Sequence, residues 1–187
     1  MKTLKNTFAI LLAVLTLSCS KDEETTTPKQ QTSPAGTADL KITAGQANKT
    51  IVGTCGWSTA QGVNFVAAKD NSNSTRVLNI NFNIPTPPSE TTTYIIKSAS
   101  DNSTDPKHVK MSFSEIVGNT LFEWNSNTAI QLFLNKQLKV VVEGNKLSID
   151  VNGISLKAQT DAGLFTNGNV GEFAKNGELS GTLIFYK

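Results

Sequence analysis

The sequence predicts an all-β domain, an antiparallel β-sandwich or flattened barrel of roughly nine or ten strands. Three observations point there. Apolar and polar residues alternate with a period of two through most of residues 39–187, as half-buried strands require. The breaks between these runs carry turn residues. No run long enough for a helix shows a repeat near 3.6 residues.

The runs follow one another along the chain. The first hairpin region holds Cys55 and Trp57. Arg76 to Ile84 places Leu78, Ile80, Phe82 and Ile84 on one face and Asn79, Asn81 and Asn83 on the other. Pro85, Pro87 and Pro88 end that strand, because proline cannot donate to a ladder. Val109, Met111 and Phe113 alternate with Lys110, Ser112 and Ser114, and Gly118-Asn119 marks the next turn. Phe122 and Trp124 share one face of the strand that follows. Leu138, Val140 and Val142 oppose Lys139 and Glu143, while Val141 interrupts the polar face and suggests cover there. Glu143-Gly144-Asn145-Lys146 reads as a hairpin turn. Leu147, Ile149 and Val151 alternate with Ser148, Asp150 and Asn152, and Asn152-Gly153 predicts a further two-residue hairpin because both residues tolerate positive φ. Thr160–Glu178 is rich in Gly and Asn and reads as a long loop, a length often tied to function. Leu179 to Tyr186 alternates again as the last strand.

The N-terminus has a different composition. Lys2 and Lys5 precede the uncharged run Phe8–Leu17, and the small Ser18 stands directly before Cys19. This order is that of a secretory leader over residues 1–18, and its apolar part is too short to span a bilayer as a helix. Residues 19–38 are Thr, Ser, Lys, Gln, Pro and Gly with a few acids. Such a segment buries too little apolar area to offset its chain entropy, so it reads as a tether with a reach of about 60 Å when extended. Residues 39–187 then form one domain.

Thr16-Leu17-Ser18-Cys19 resembles a lipobox, with Thr16 where the pattern usually carries Leu. Ser20-Lys21-Asp22-Glu23-Glu24 resembles the acidic export signal of Bacteroidota surface lipoproteins, and the layout as a whole is similar to small β-sandwich lipoproteins of that group. The resemblance implies lipid attachment at Cys19, an outer-membrane address and exposure at the cell surface. Two or three acyl chains would make that anchoring durable. The Gly-x-Trp signature of lipocalin-type barrels is missing, since Cys55 stands two residues before Trp57.

Charge narrows the function classes. The chain has 17 basic and 15 acidic groups. Without Lys2 and Lys5 of the leader it is near neutral, which argues against nucleic acid and against a polybasic lipid clamp. With Cys19 acylated, Cys55 is left without a disulfide partner and reads as a small core residue. His108 is the single histidine, in a loop, with neither the ligand set of a zinc site nor a nucleophile elbow beside it. Asp101-Asn102-Ser103-Thr104-Asp105 starts like a calcium loop, but Pro106 and Ser112 stand where glycine and glutamate are needed. No cofactor is expected. Two readings remain. The first is a non-enzymatic accessory or scaffold subunit that meets an outer-membrane protein partner. The second is a glycan-binding lipoprotein in which Asn79, Asn81 and Asn83 bond sugar hydroxyls and Trp124 stacks on the ring.

Overall fold

The computed structural model describes residues 35–127, 136–160 and 167–187. Cys19 and the segment expected as a leader lie outside them, as does the expected tether up to residue 34, whereas Gly36 to Ala38, expected in the tether, belong to the first strand because they alternate and pair with its neighbours. The domain is all-β, with ten strands among the described residues: β1 (Gly36–Ala44), β2 (Ala47–Ala60), β3 (Val63–Asp70), β4 (Val77–Phe82), β5 (Thr92–Ile96), β6 (His108–Val117), β7 (Thr120–Asn125), β8 (Gln137–Glu143), β9 (Lys146–Ala158) and β10 (Gly177–Tyr186). A 3-10 turn, Gly171–Ala174, precedes β10.

Nine strands close a ring in the order β10-β1-β2-β3-β4-β6-β5-β8-β9, sealed by the β9–β10 pairing. The architecture is therefore a closed barrel rather than a sandwich. It is also mixed rather than purely antiparallel, because β5 meets β6 in parallel through Ile95↔His108 and Ile96↔Val109. The tenth strand, β7, shares the wall between β6 and β9. It pairs with β6 from Ser112↔Asn125 to Val117↔Thr120 and with β9 at Trp124↔Ala158. Thus β5 and β8 fill the gap between β6 and β9 at one end of the barrel, and β7 fills it at the other.

The edge of β6 has to change partners where β5 gives way to β7, and Ser126 makes that join. Its backbone N–H donates to Met111 O at 2.8 Å, and its hydroxyl accepts from Met111 N at 3.0 Å. The same hydroxyl donates to Lys97 O at 2.6 Å. Ser126 is buried, so each of these bonds satisfies a group that water cannot reach.

Alternation sorts the strands into an apolar interior and a polar exterior. In β1, Ala38, Leu40, Ile42 and Ala44 are buried while Thr37, Asp39 and Lys41 are exposed. Trp124, Phe113, Phe185, Met111 and the Ile and Leu residues of neighbouring strands fill the middle. This is the reverse of a membrane-spanning barrel, whose lipid-facing belt is apolar.

The predicted hairpin at Asn152-Gly153 is a β-bulge inside the continuous strand β9. Inward positions are Leu147, Ile149 and Val151 before it and Ile154, Leu156 and Ala158 after it, so one extra residue has been inserted. The register with β10 shifts at the same place, between Leu179 and Gly181. Gly153 has φ +61° and donates its N–H to Ser180 Oγ at 3.2 Å. An Asn-Gly pair serves a bulge as readily as a turn, since both need positive φ.

Candidate functional site

The end of the barrel at the β1–β2, β3–β4 and β6–β7 turns carries charge where the inward alternation would place more core. In β6 the buried series Val109, Met111, Phe113 continues to Glu115, which is 2% exposed. In β2 the position inward of Ile51 is Lys49, and the residue two before Leu78 is Arg76. Three charged side chains thus enter the interior on three strand registers.

Glu115 organises them. Its Oε2 pairs with Lys49 Nζ. Its Oε1 accepts from Arg76 Nη2 at 2.7 Å and from Asn73 Nδ2 at 2.5 Å. The Lys49 ammonium also lies 4.1 Å from the ring centroid of Phe122 and 4.4 Å from that of Phe173, close enough for attraction to both π faces. Burial pushes the Glu115 carboxyl up, but the hydrogen bonds and charges of Arg76 and Lys49 outweigh it and hold it below the usual carboxylate range. The glutamate is therefore a carboxylate at neutral pH, fully compensated.

Part of this cluster does the work of a missing strand. β3 ends at Asp70 opposite Gly53, so the start of β2 has no neighbour on that side. Asp70 Oδ2 accepts from Val52 N at 2.9 Å, Asn71 N donates to Val52 O at 3.2 Å, and Arg76 Nη1 donates to Thr50 O at 2.7 Å. Side chains and a turn amide thereby replace ladder bonds on an edge that would otherwise be bare. Asp70 also accepts from Ser72 N, Ser72 Oγ and Asn73 N at 2.9, 2.5 and 2.8 Å. Burial opposes its ionisation, but these donors win and bring its pKa down to about 2.

A segment before β10 covers this end. Phe173 packs edge-on to Phe122 and Trp124, with centroids 5.4 and 5.8 Å away. Asn169, itself buried, accepts from Glu123 N at 2.6 Å and donates to Phe173 O at 2.8 Å. Glu172 accepts from Gln46 N at 2.8 Å. The described part of the long loop predicted over Thr160–Glu178 is thus folded onto the barrel as a plug.

The residues proposed for glycan contact do not meet. Trp124 is fully buried, stacked edge-on against Phe113, and its Nε1–H donates to Lys175 O at 3.0 Å. It offers no ring face to a sugar. Asn79 and Asn81 lie on the outer surface, flanked by Ala67 and Ser112 and by Phe65 and Lys110 respectively. Register explains the separation: Asn79 aligns with Ser112 on the outside, whereas Trp124 aligns with the inward Phe113. Asn83 lies past the end of β4 and donates to Ser103 O and Asp105 O at 2.8 and 3.0 Å, so it braces a loop.

Other singled-out residues have structural partners. Cys55 is buried with its Sγ 3.1 Å from Thr37 O and Ile184 O, and burial pushes its thiol up to about 11, which suppresses thiolate chemistry. His108, half-buried rather than exposed, has Nδ1 2.8 Å from Ser103 Oγ and Nε2 3.6 Å from Asp105. Ser103 Oγ already accepts from Asp105 N, so this trio is a turn device. Trp57 stacks on Phe82, and Phe82 on Tyr94, at the opposite end of the barrel.

Lys49, Asn73, Arg76 and Glu115 were not picked out from the sequence as a group. The signal was there in part: extending Val109-Met111-Phe113 by one step puts Glu115 on the buried face. No family model matches this chain, no curated protein matches it, and no solved structure matches it.

Proposed function

We propose that this chain is a lipid-anchored outer-membrane lipoprotein, held by acyl chains on Cys19, that acts without enzymatic turnover as an accessory or scaffold subunit contacting an outer-membrane protein. The Ser18-Cys19 junction behind a basic and apolar leader carries the reading. The barrel supports it. Glu115, Arg76 and Asp70 are engaged in hydrogen bonds that close the wall, and the exterior is a polar strand surface suited to contact. Metabolic labelling with an alkyne palmitate should mark the protein and leave a Cys19→Ser variant unmarked. Affinity isolation from detergent-solubilised membranes should recover a stoichiometric partner. An unlabelled wild type overturns the anchor, and recovery of the lipoprotein alone overturns the scaffold role.

A glycan-binding reading keeps one observation in its favour after the loss of Trp124. Phe65 is an outward aromatic paired across the strands with Asn81, which sets a ring beside an amide. Retention on a glycan array that a Phe65→Ala, Asn81→Ala double variant loses would support it, and no retention by the wild type would remove it.

A further inference from the structure

We propose that Lys49 and Asn73 become joined by a side-chain amide bond, formed inside the folded barrel with Glu115 as the proton carrier. The geometry places an amine and a carboxamide on one buried carboxylate, which is the base. Lys49 Nζ sits on Glu115 Oε2 and Asn73 Nδ2 sits 2.5 Å from Oε1. Each is therefore already bonded to the group that must move the proton between them, which is the condition for general acid–base catalysis.

The acyl acceptor is polarised. Asn73 Oδ1 accepts from Thr75 N at 3.1 Å and lies 2.8 Å from Thr75 Oγ1. The Thr75 N–H aimed at that oxygen stabilises the negative charge it gathers when the carbon is attacked, and the Thr75 hydroxyl shares its one proton between Oδ1 and Ile116 O, 2.9 Å away. The amide is also positioned, since Asn73 N donates to Asp70 at 2.8 Å.

The surroundings confine the nucleophile. Lysine attacks only as the free amine, and desolvation is the usual way a protein makes that form available. Here the Phe122 and Phe173 rings screen the Lys49 nitrogen from water. The resting pair is ionised, with Arg76 also on the carboxylate, so attack starts from the minor state in which the ammonium has passed one proton to Glu115.

The reaction balances without any co-reactant. The Lys49 ammonium gives one proton to Glu115. The freed lone pair of Nζ attacks Asn73 Cγ, forming the new C–N bond and a tetrahedral centre with its charge on Oδ1. Glu115 returns its proton to Nδ2, the old C–N bond breaks, and ammonia departs with the second proton that Nζ gives up. The product is one amide linking β2 to the β3–β4 turn, across the seam where β2 has no strand beside it.

Mass spectrometry of the full chain tests this. The expected result is a protein lighter by one ammonia molecule than the full mass calculated from its sequence after loss of the leader and acylation of Cys19. A tryptic digest should then contain residues 42–69, uncut at Lys49, linked to residues 70–76. Glu115→Gln and Lys49→Arg should restore the full mass. A wild type at that full mass, or an ammonia loss that tandem fragmentation places anywhere other than the 49–73 link, overturns the proposal. A Glu115→Gln protein that still carries the link overturns the role of the base. The wild-type measurement decides the bond itself even where a variant fails to fold.

Discussion

The indole N–H of Trp124 donates to the carbonyl of Lys175 at 3.0 Å, so the largest side chain of the core is also the peg that holds the plug against the barrel. Trp124→Ala removes the ring and strands that carbonyl. A loss of roughly 3–5 kcal/mol of stability is expected, measured by urea unfolding. Trp124→Phe, which keeps most of the volume but not the donor, should cost about 1–3 kcal/mol.

Glu115→Gln leaves Lys49 and Arg76 buried without their counter-charge. Breaking a buried pair from one side costs about 3–5 kcal/mol, whereas an exposed pair such as Lys146–Glu143 should contribute under about 1 kcal/mol. Chemical denaturation of Glu115→Gln beside Glu143→Gln checks the contrast.

Acid should loosen the β2 seam. Asp70 has its pKa brought from an ordinary 3.8 to about 2 in the folded protein, so folding favours the ionised form. Its contribution is complete above about pH 3.8 and is lost as the pH falls through about 2. Glu115 shifts in the same direction. An Asp70→Asn variant should be less stable at neutral pH and lose less on acidification, as followed by thermal melts across the acid range.

Ser126→Ala removes a hydroxyl that both accepts from Met111 and donates to Lys97. With those partners left in a dry site, a cost of about 1–3 kcal/mol is expected. Hydrogen exchange should show the loss first at Met111 and in the neighbouring part of β5.

Gly181 combines φ +131° with a Cβ direction that runs into the Asp39 carbonyl oxygen of β1. Gly181→Ala should cost roughly 2–4 kcal/mol through strain and displaced pairing. A thermal melt checks it against Gly56→Ala, where nothing stands in the way of a Cβ and φ is not positive.

Individual strands were legible because side-chain alternation is a local property. Leu78-Ile80-Phe82 and Leu147-Ile149-Val151 announce their buried face with no knowledge of any neighbour. Neighbour identity is not local. That β5 would lie between β6 and β8, or that β9 would close on β10, depends on contacts between residues far apart in the chain. The error at Asn152-Gly153 has the same root, because only the pairing of Ser155 with Glu178 and of Asp150 with Thr182 shows that the strand continues. The candidate site was half legible. Glu115 stands in the buried register of β6, but the convergence of Lys49, Asn73 and Arg76 on it needs the β2–β3–β4–β6 order. Burial was the expected place for Trp124 and stacking on a sugar the alternative; the burial is what the barrel has, and polar sequence neighbours alone do not say which side of a wall a ring occupies.

The first strand of the domain is bonded to the last, from Thr37↔Ile184 to Ala44↔Gly177. A polypeptide delivered N-terminus first therefore keeps β1 half-clothed until its final residues arrive. Products cut short before Gly177 lack the piece that completes the circle, and they would leave two raw borders open to aggregation. Arrival of β10 thus acts as a quality check on the barrel.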